Sequence, residues 1–229
     1  IFFGKKIAGI NIKEMKIIPV KKNSSRFPGK NLKKFGDENL LERKIRQLKK
    51  SKIADKIIVS SDSDEMLHIA KNNNVEAILR PNFYADESKP LSEFFKYITT
   101  LIPEGHLIWS CVTSPHFNEK LMVKAKVEYI NALDNGYDSL ITVYKFKHYL
   151  MNKNGPLNYS LGLSHKNSDQ LPALDLFTNG ILFAPITSVK EWNYNYGQNA
   201  YRFEVDQKAS IDIDTELDYL AALSWGDII

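Results

Sequence analysis

The stretch that decides the fold is Ile17-Ile18-Pro19-Val20, followed at once by Lys21-Lys22-Asn23-Ser24-Ser25-Arg26-Phe27-Pro28-Gly29-Lys30-Asn31. The apolar run predicts a short buried strand. Residues 21–31, here called the basic loop, offer backbone N–H groups, hydroxyls and cationic side chains, which together suit a polyphosphate. The loop lacks the Gly-x4-Gly-Lys-Ser/Thr spacing of a Walker loop, and a solvated basic turn is the alternative interpretation.

Composition and charge favour one domain that binds a small anion. The chain has 229 residues, 43% of them hydrophobic, which is enough for a sizeable core. Residues 1–34 carry ten Lys and Arg against one acidic residue, a net charge of +9, whereas residues 35–229 carry 21 against 26, a net charge of −5. Such concentrated charge favours a small ligand over a nucleic-acid track. RNA binding is disfavoured because no aromatic stacking motif accompanies the basic segment.

The cysteine content and the apolar runs bear on the compartment. Cys111 is the single cysteine, so no intramolecular disulfide can form and a Cys-based zinc site is disfavoured. No run approaches the roughly 18 apolar residues that a membrane span needs. Residues 1–15 make a poor signal peptide because lysines interrupt their apolar part. We therefore expect a cytoplasmic protein without a membrane partner, with residues 1–15 as an extension and 16–229 as the domain.

The period of the apolar residues alternates between strand and helix along the chain. Strands are predicted at 17–20, 56–60, 75–79, 106–111 and 138–143. Helices are predicted between and after them. One starts with a capping box at Asp62, one spans 91–101, one is capped by Asn118, and the final one spans 216–224. These repeats predict an α/β fold with three layers and a mostly parallel sheet, with ligands at the carboxyl ends of the strands.

Residues 144–178 break this alternation. The segment is rich in Lys, Asn, Tyr, Gly and Pro, yet its aromatic and apolar residues are too frequent for disorder. We expect an ordered excursion from the domain that a partner subunit covers.

A second chemical signal is Ser210-Ile211-Asp212-Ile213-Asp214-Thr215-Glu216-Leu217-Asp218-Tyr219. On an extended backbone Asp212 and Asp214 face one side, while the isoleucines anchor the other. Two carboxylates on one side suit a hard divalent cation such as Mg²⁺. The alternative is that Asp214 or Thr215 simply caps the final helix.

Both stretches resemble the sugar-acid cytidylyltransferases, the family that makes CMP-sialic acid and related CMP-activated nonulosonic acids. The family's loop reads roughly Pro-Ala-Arg, two variable residues, Ser, three variable residues, then Pro-x-Lys-Asn. This chain has Pro19-Val20-Lys21, Ser24 and Pro28-Gly29-Lys30-Asn31. Lys21 stands where the family has arginine, so the bidentate fork is lost. The loop also resembles the Kdo branch of the superfamily, so the loop alone does not indicate which sugar acid is the substrate.

Further matches follow in order over residues 16–222. The second motif resembles the family's Asp-Ile-Asp-Thr-x-x-Asp, whose first two aspartates hold the metal. Weaker similarities lie at residues 59–65, 79–86 and 170–183. The largest departure is at residues 111–117, where Cys111 replaces a glutamine that contacts the sugar acid and Phe117 replaces an arginine. A nucleophilic Cys111 is disfavoured because no pattern singles out its base.

The resemblance implies a nucleotidyltransferase of the nucleotide-diphospho-sugar transferase (Rossmann-like) fold. It would transfer CMP from CTP to the anomeric hydroxyl of a nonulosonic, sialic-acid-like sugar acid and release pyrophosphate with Mg²⁺ as cofactor. It also implies a homodimer whose excursion reaches the neighbour's active site. Alternatives are a Kdo-type synthetase, a related enzyme for an aldose phosphate, which the Asp-Ile-Asp-Thr string disfavours, and a catalytically silent nucleotide-sugar binding domain.

The resemblance also implies roles for individual residues. The catalytic set is Lys21, Lys30, Asp212 and Asp214, with the two aspartates holding the metal. The nucleotide-binding set is Lys21, Asn23, Ser24, Arg26, Lys30, Asn31, Ser61, Asp62 and Arg80. The substrate-binding set is Cys111, Thr113, Ser114, Gln170, Asn179 and Phe183, with Lys145 or Lys147 for the sugar carboxylate.

Overall fold

The computed structural model describes residues 14–22, 24–53 and 55–226. The strands are β1 (Glu14–Pro19), β2 (Lys34–Phe35), β3 (Glu38–Asn39), β4 (Lys56–Ser61), β5 (Glu76–Leu79), β6 (His106–Trp109), β7 (Ser139–Phe146), β8 (Met151–Asn152), β9 (Gly155–Pro156), β10 (Leu174–Pro185) and β11 (Ala200–Val205). The α-helices are α1 (Leu40–Ser51), α2 (Asp64–Asn72), α3 (Leu91–Leu101), α4 (Glu119–Asp134), α5 (Ile186–Trp192) and α6 (Glu216–Ser224).

A seven-stranded sheet in the order β11-β7-β10-β6-β1-β4-β5 forms the middle layer. All neighbouring strands run parallel except β10, which is antiparallel to both β6 and β7. Strand β6 is the central strand and β1 lies beside it, with Ile17 of β1 opposite Trp109 of β6 on one side and Ile58 of β4 on the other. The prediction of an α/β fold with a mostly parallel sheet is confirmed.

Two helical layers cover the sheet. On one face α1, α2, α4 and α6 bury apolar side chains such as Leu41, Met66 and Met122. On the other face α3 and α5 bury Phe95 and Val189. The strands are covered on both faces, which explains why they read as continuous apolar runs rather than alternating ones.

The helix starts follow from their caps. Asn39 and Glu42 form a capping box at α1, and Asn118 caps α4 as predicted. Helix α2 differs from the prediction, because it begins at Asp64 with Ser63 as its cap. Asp62 instead accepts a hydrogen bond from the backbone N–H of Lys22 at 2.7 Å, which ties the basic loop to the end of β4.

The excursion is built on a long antiparallel ladder. Strands β7 and β10 stay paired out to Phe146 and Leu174, so the ends of the predicted segment belong to the sheet. Between them lie the β8–β9 pair and two 3₁₀ turns, Gly162–Ser164 and Ser168–Gln170. At the other end of the chain, β1 starts at Glu14, and residues 1–13 of the predicted extension lie outside the described residues.

Candidate active site

A cavity of about 430 Å³ opens beside the carboxyl ends of the central parallel strands. Ligands sit at this edge in parallel sheets. Four segments line it: the basic loop, residues 80–94, the end of β6, and the Asp-Ile-Asp motif with Asn179. The lining residues used below are Lys21, Lys30, Asn31, Arg80, Phe83, Tyr84, Glu87, Phe94, Trp109, Cys111, Thr113, Asn179, Asp212 and Asp214.

Asp214 joins the basic loop to the carboxyl-terminal motif. Lys30 Nζ donates to Asp214 Oδ1 at 2.9 Å and to the carbonyl oxygen of Ile213 at 2.9 Å. Arg26 forms a fork on the same carboxylate, with distances of 2.8 Å to Oδ1 and 2.7 Å to Oδ2. The Lys30 side chain is only 12% exposed and that of Arg26 is 63% exposed, so Lys30 is the better shielded charge. Two of the predicted phosphate-binding cations therefore meet a predicted metal ligand.

The two carboxylate oxygens of Asp212 differ in their hydrogen bonds. Asn179 Nδ2 donates to its Oδ2 at 2.5 Å, whereas among the described residues its buried Oδ1 has no hydrogen-bond partner. Ile213, fully buried, anchors the motif, and its N–H donates to the carbonyl oxygen of Thr113 at 2.8 Å. A buried carboxylate oxygen without a donor calls for a further partner.

The aspartate pair fits a magnesium ion. The described part of the chain contains no cluster of three or more His, Cys, Asp or Glu side chains arranged to hold a metal. Mg²⁺ does not need such a cage, because it is commonly bound by one or two carboxylates plus substrate phosphates and water. Asp212 and Asp214, both lining the cavity, are therefore the residues that would hold it.

Lys21 reaches across the cavity to Glu87, with which it forms a close ion pair. Burial lowers the pKa of Lys21, and the nearby cations of Lys30 and Arg80 lower it further. Asn31, itself buried, donates through Nδ2 to the carbonyl oxygen of Lys21 at 3.0 Å and holds the base of the loop. Lys21 is thus paired with the Glu87 carboxylate, and a phosphate group could take the place of that carboxylate.

Arg80 is buried and braces the strand ends. Its guanidinium donates to the carbonyl oxygen of Val20 at 3.0 Å and to that of Ser60, and it lies 4.6 Å from the centre of the Phe94 ring. Burial lowers its pKa to about 10. Arg80 lines the cavity as predicted, but its hydrogen bonds go to backbone carbonyls of the sheet.

The remaining residues predicted to bind the nucleotide lie away from the cavity or outside the described residues. Ser61 is buried and faces α2, where its Oγ accepts from the Ser63 N–H at 3.1 Å, so the structure does not bring it to the cavity. Asp62 supports the loop backbone instead of lining the cavity. Ser24 is buried within the loop, and Asn23 lies outside the described residues.

At the end of β6, Cys111 and Thr113 line the cavity, whereas the Ser114 side chain is buried behind it. Burial raises the pKa of the Cys111 thiol to about 12, and the neighbouring Asp212 carboxylate acts in the same direction. A thiol in this state is a poor nucleophile, in line with the sequence interpretation.

Several predicted sugar contacts lie elsewhere. Phe183 is fully buried and stacks on Tyr129 at 5.1 Å between ring centres, which corrects the prediction that it contacts the substrate. Gln170 is exposed in a 3₁₀ turn, where its Oε1 accepts from Asn167 N–H. Lys145 pairs with Asp175, and Lys147 donates to the carbonyl oxygen of Asp169. None of these four predicted residues lines the cavity of this chain.

Sequence reasoning missed two features of the site. One is an aromatic wall formed by Phe83, Tyr84, Phe94 and Trp109. The other is Lys44 of α1, which is fully buried beneath the site. Burial lowers the pKa of Lys44 to about 7, and neighbouring Arg43 acts in the same direction. Its position was readable, because residues 40, 41, 44, 45 and 48 share one helix face and only Lys44 is polar.

Among the described residues, no helix has both the length and the apolar character that a membrane span requires.

Comparison with known proteins identifies the family. The sequence profile described as "Cytidylyltransferase" matches residues 15–158, more than half of the chain. An N-acylneuraminate cytidylyltransferase of Escherichia coli O18:K1:H7 is 22% identical over 218 residues, covering 91% of this chain and 51% of that protein. A 3-deoxy-manno-octulosonate cytidylyltransferase of Thermodesulfovibrio yellowstonii is 26% identical over 132 residues, covering 56% of this chain and 51% of that protein. The chain spans about half the length of these curated relatives.

Solved structures share the fold. A CMP:2-keto-3-deoxy-manno-octonic acid synthetase complexed with CTP superposes with a TM-score of 0.69 at 14% identity, covering 93% of this chain and 98% of that one. A 4-diphosphocytidyl-2C-methyl-D-erythritol synthase from Anaerococcus prevotii gives 0.64 at 15% identity, covering 93% and 98%. With its loop, aspartate motif and sequence profile in agreement, the chain belongs to the cytidylyltransferase family.

Proposed function

We propose that this chain transfers CMP from CTP to the anomeric hydroxyl of a nonulosonic, sialic-acid-like sugar acid and releases pyrophosphate. The observation that carries the proposal is the meeting of Lys21 and Lys30 with Asp212 and Asp214 around one cavity. Cations for a polyphosphate and carboxylates for a divalent ion are the two parts that phosphoryl-type transfer requires, since positioning and charge stabilisation supply most of its catalysis.

The choice of a sialic-acid-like substrate is supported by the extent of the alignments. The relative named for N-acylneuraminate aligns over 91% of this chain, whereas the one named for 3-deoxy-manno-octulosonate aligns over 56%. A Kdo-type acid is the second candidate, and the resemblance in fold to a CMP:2-keto-3-deoxy-manno-octonic acid synthetase favours it. Cys111 lies in the cavity where the family has glutamine, which suggests an unusual 3-deoxy-ulosonic acid.

The basic loop would bind the triphosphate by exchanging partners. Lys21 now pairs with Glu87, and Lys30 and Arg26 pair with Asp214. A triphosphate offers these cations more charged acceptor oxygens than the two carboxylates do, and its bonds to them are charge-assisted in the same way. Binding CTP would therefore turn Lys21, Lys30 and Arg26 toward the phosphates, and the Asp214 carboxylate would become available.

Asp212 and Asp214 would hold Mg²⁺, which when bound would acidify the sugar hydroxyl and stabilise charge at the α-phosphate. The chain supplies the positioning: Asn179 donates to Oδ2 of Asp212, while Oδ1 has no donor among the described residues and would be available to the ion. Asn179 and Thr113 also line the cavity and would orient the sugar acid. The aromatic wall would exclude water from the α-phosphate.

We also propose a homodimer. The excursion exposes apolar side chains, with Leu157 at 60% and Leu161 at 72% of their full exposure. Apolar side chains so placed are typical of a contact with another subunit. A partner would bring Gln170 of the excursion toward the neighbouring cavity, which would explain its distance from the cavity of its own chain. Light scattering during size-exclusion chromatography tests this proposal. A molar mass equal to that of the monomer, at a protein concentration of about 50 µM, contradicts it.

The experiment that tests the reaction is pyrophosphate release from CTP and Mg²⁺ with sialic, legionaminic, pseudaminic and Kdo-type acids. Asp212→Asn is the inactivating variant, because it keeps the shape of the side chain and removes the charge. Asp134→Asn, at the exposed end of α4 and outside the cavity, is the matched control. We expect turnover with one acid, at least a hundredfold loss in Asp212→Asn, and a change of less than threefold in Asp134→Asn.

A catalytically silent nucleotide-sugar binding domain is the rival from another class. It predicts CTP binding without pyrophosphate release on any of the four acids. That result, with wild-type protein shown to bind CTP by calorimetry, would overturn the proposed reaction. Turnover with the Kdo-type acid alone would select the second candidate.

A further inference from the structure

A lysine is buried directly beneath the site. Lys44 of α1 is fully buried, and its Nζ donates to the carbonyl oxygen of Ser114 at 2.9 Å and to that of Phe117 at 3.4 Å. An ammonium group in a protein interior is costly unless it is paired or hydrogen-bonded. Both acceptors belong to the turn of residues 113–117 that follows β6, here called the central turn. The charge is thus tolerated only while the central turn keeps its shape.

Two further side chains of α1 bind the same turn. Gln47 Nε2 donates to the carbonyl oxygen of Pro115 at 2.8 Å, and Arg43 Nε donates to the same oxygen at 3.1 Å. The central turn is therefore attached to a rigid helix by three donors, with Lys44 innermost. Loops held in this way are more precise than free ones, which matters for a site on a loop.

The central turn contacts the aspartate motif directly. The carbonyl oxygen of Thr113 accepts from the N–H of Ile213 at 2.8 Å. Ile213 lies between Asp212 and Asp214, so this bond sets the backbone from which both carboxylates project.

The central turn also contacts Asp212 by a second route. The Phe117 ring packs against Gly180 so closely that a Cβ at Gly180 would lie 2.6 Å from the ring. Gly180 follows Asn179, whose Nδ2 holds Oδ2 of Asp212 at 2.5 Å. Displacing the turn would therefore disturb both the backbone and the hydrogen-bond donor that orient Asp212.

We propose that Lys44 is a positioning residue: by holding the central turn to α1, it fixes the Asp212 carboxylate at the cavity. The chemical role of that carboxylate rests on the proposed function, but the role of Lys44 in holding it in place does not. Oδ1 of Asp212, which is buried and has no hydrogen-bond partner in the described part of the chain, is the atom whose placement Lys44 secures. Lys44 touches neither substrate nor metal and acts only through the turn.

The first test measures how firmly the central turn and the aspartate motif are held, and it needs no enzymatic activity. Hydrogen–deuterium exchange is followed in wild type, Lys44→Met and Gln47→Leu, with Leu48→Ala as a control that destabilises α1 without touching the turn. We expect Lys44→Met to speed exchange at least tenfold in peptides covering residues 111–117 and 210–216. Gln47→Leu removes one donor to the same turn. It also removes a buried oxygen, Oε1, that has no hydrogen-bond partner within the described segments, so the variant should fold and speed exchange about threefold there. Leu48→Ala should not change these two regions selectively.

The second test uses the reaction. In a wild type that turns over, Lys44→Met should raise the Mg²⁺ concentration for half-maximal rate by about 10- to 100-fold, the usual effect of losing a residue behind a metal ligand. The KM for CTP at saturating Mg²⁺ should change less than threefold, which a general loss of structure would not produce. Lys44→Arg, which keeps the charge and the donors, should recover part of the loss.

The outcomes separate this inference from the proposed function. Selective deprotection of both peptides in a wild type that is inactive on every acid supports the role of Lys44 and contradicts the reaction. Unchanged exchange at residues 210–216 in a folded Lys44→Met protein overturns the inference, whatever the activity. If Lys44→Met fails to fold, unchanged exchange in Gln47→Leu overturns it instead, because the turn is then held independently of α1.

Discussion

Lys30 donates to Asp214 at 2.9 Å although the two residues are 184 positions apart in the chain. The bond joins the loop after the first strand to the motif before the last helix, and it closes one side of the cavity. Lys30 also binds the carbonyl oxygen of Ile213, so its ammonium is held by two acceptors. The two most specific signals in the sequence therefore form a single site.

Replacing Lys30 by Met should reduce kcat/KM for CTP by at least a hundredfold. Hydrogen bonds to charged groups are worth about 1.5–3 kcal/mol each, and the shielded ammonium would serve more than one phosphate oxygen. Arg26→Met is the comparison, and its more exposed side chain should cost tenfold or less. Steady-state kinetics with varied CTP measures both, and equal losses in the two variants would contradict the ranking.

Replacing Glu87 by Gln should improve CTP binding. Lys21 now pairs with Glu87 across the cavity, and the triphosphate must compete with that carboxylate. Exposed ion pairs contribute about 0–1 kcal/mol, so the KM for CTP should fall about two- to fivefold, and less at high salt. Glu76→Gln breaks a different surface pair, with Lys56, and should change nothing. A higher KM in Glu87→Gln would show that Glu87 itself supports the nucleotide.

Lys44 should make stability depend on pH. Burial lowers the pKa of Lys44 to about 7 in the folded protein, against the ordinary lysine value of 10.5, so between these values the unfolded chain binds more protons. The free energy of unfolding of wild type relative to Lys44→Met should therefore rise from pH 7 to pH 10, with a slope of at most about 1.4 kcal/mol per pH unit. Urea denaturation at pH 6, 8 and 10 measures it. A constant difference between the two proteins would mean that Lys44 keeps its proton.

Replacing Gly180 by Ala should damage both stability and turnover. The added Cβ would lie 2.6 Å from the Phe117 ring, which is fully buried and cannot move freely. Overpacking of this kind costs about 1–3 kcal/mol, and the shift would carry Asn179 away from Asp212. Thermal unfolding and pyrophosphate release measure the two effects. The pairing of β10 with β7 is irregular between Thr178 and Leu182, and wild-type activity in Gly180→Ala would show that this stretch has room to adjust.

The Cys111 thiol should react slowly with alkylating agents. Its thiol has a pKa of about 12, so the thiolate is scarce at neutral pH. Alkylation by iodoacetamide at pH 8 should be at least tenfold slower than for free cysteine, and Cys111→Ser should retain turnover within tenfold. Rapid alkylation together with complete loss of activity in Cys111→Ser would restore the nucleophile hypothesis.

Much of the fold could be predicted because the apolar periods are strong. Helices α3 and α6 begin and end where the sequence predicts them, at 91–101 and 216–224, and the predicted strand before the basic loop lies inside the sheet, between β6 and β4. The start of α2 was predicted wrongly, because two residues, Asp62 and Ser63, could each cap it. Which one does so depends on Lys22, a long-range partner of Asp62.

The sequence by itself determined the α/β class, the basic character of residues 21–31 and the placement of Asp212 and Asp214 two positions apart in one motif. These are local properties, since periodicity, residue type and spacing act over a few positions. Only the tertiary structure decided which predicted residues share a cavity. It placed Phe183 in the core, turned Ser61 toward α2, and buried Lys44 beneath Asp212. The reason is that burial and hydrogen-bond partners are set by contacts between segments far apart in the chain, such as the turn after β6 and helix α1.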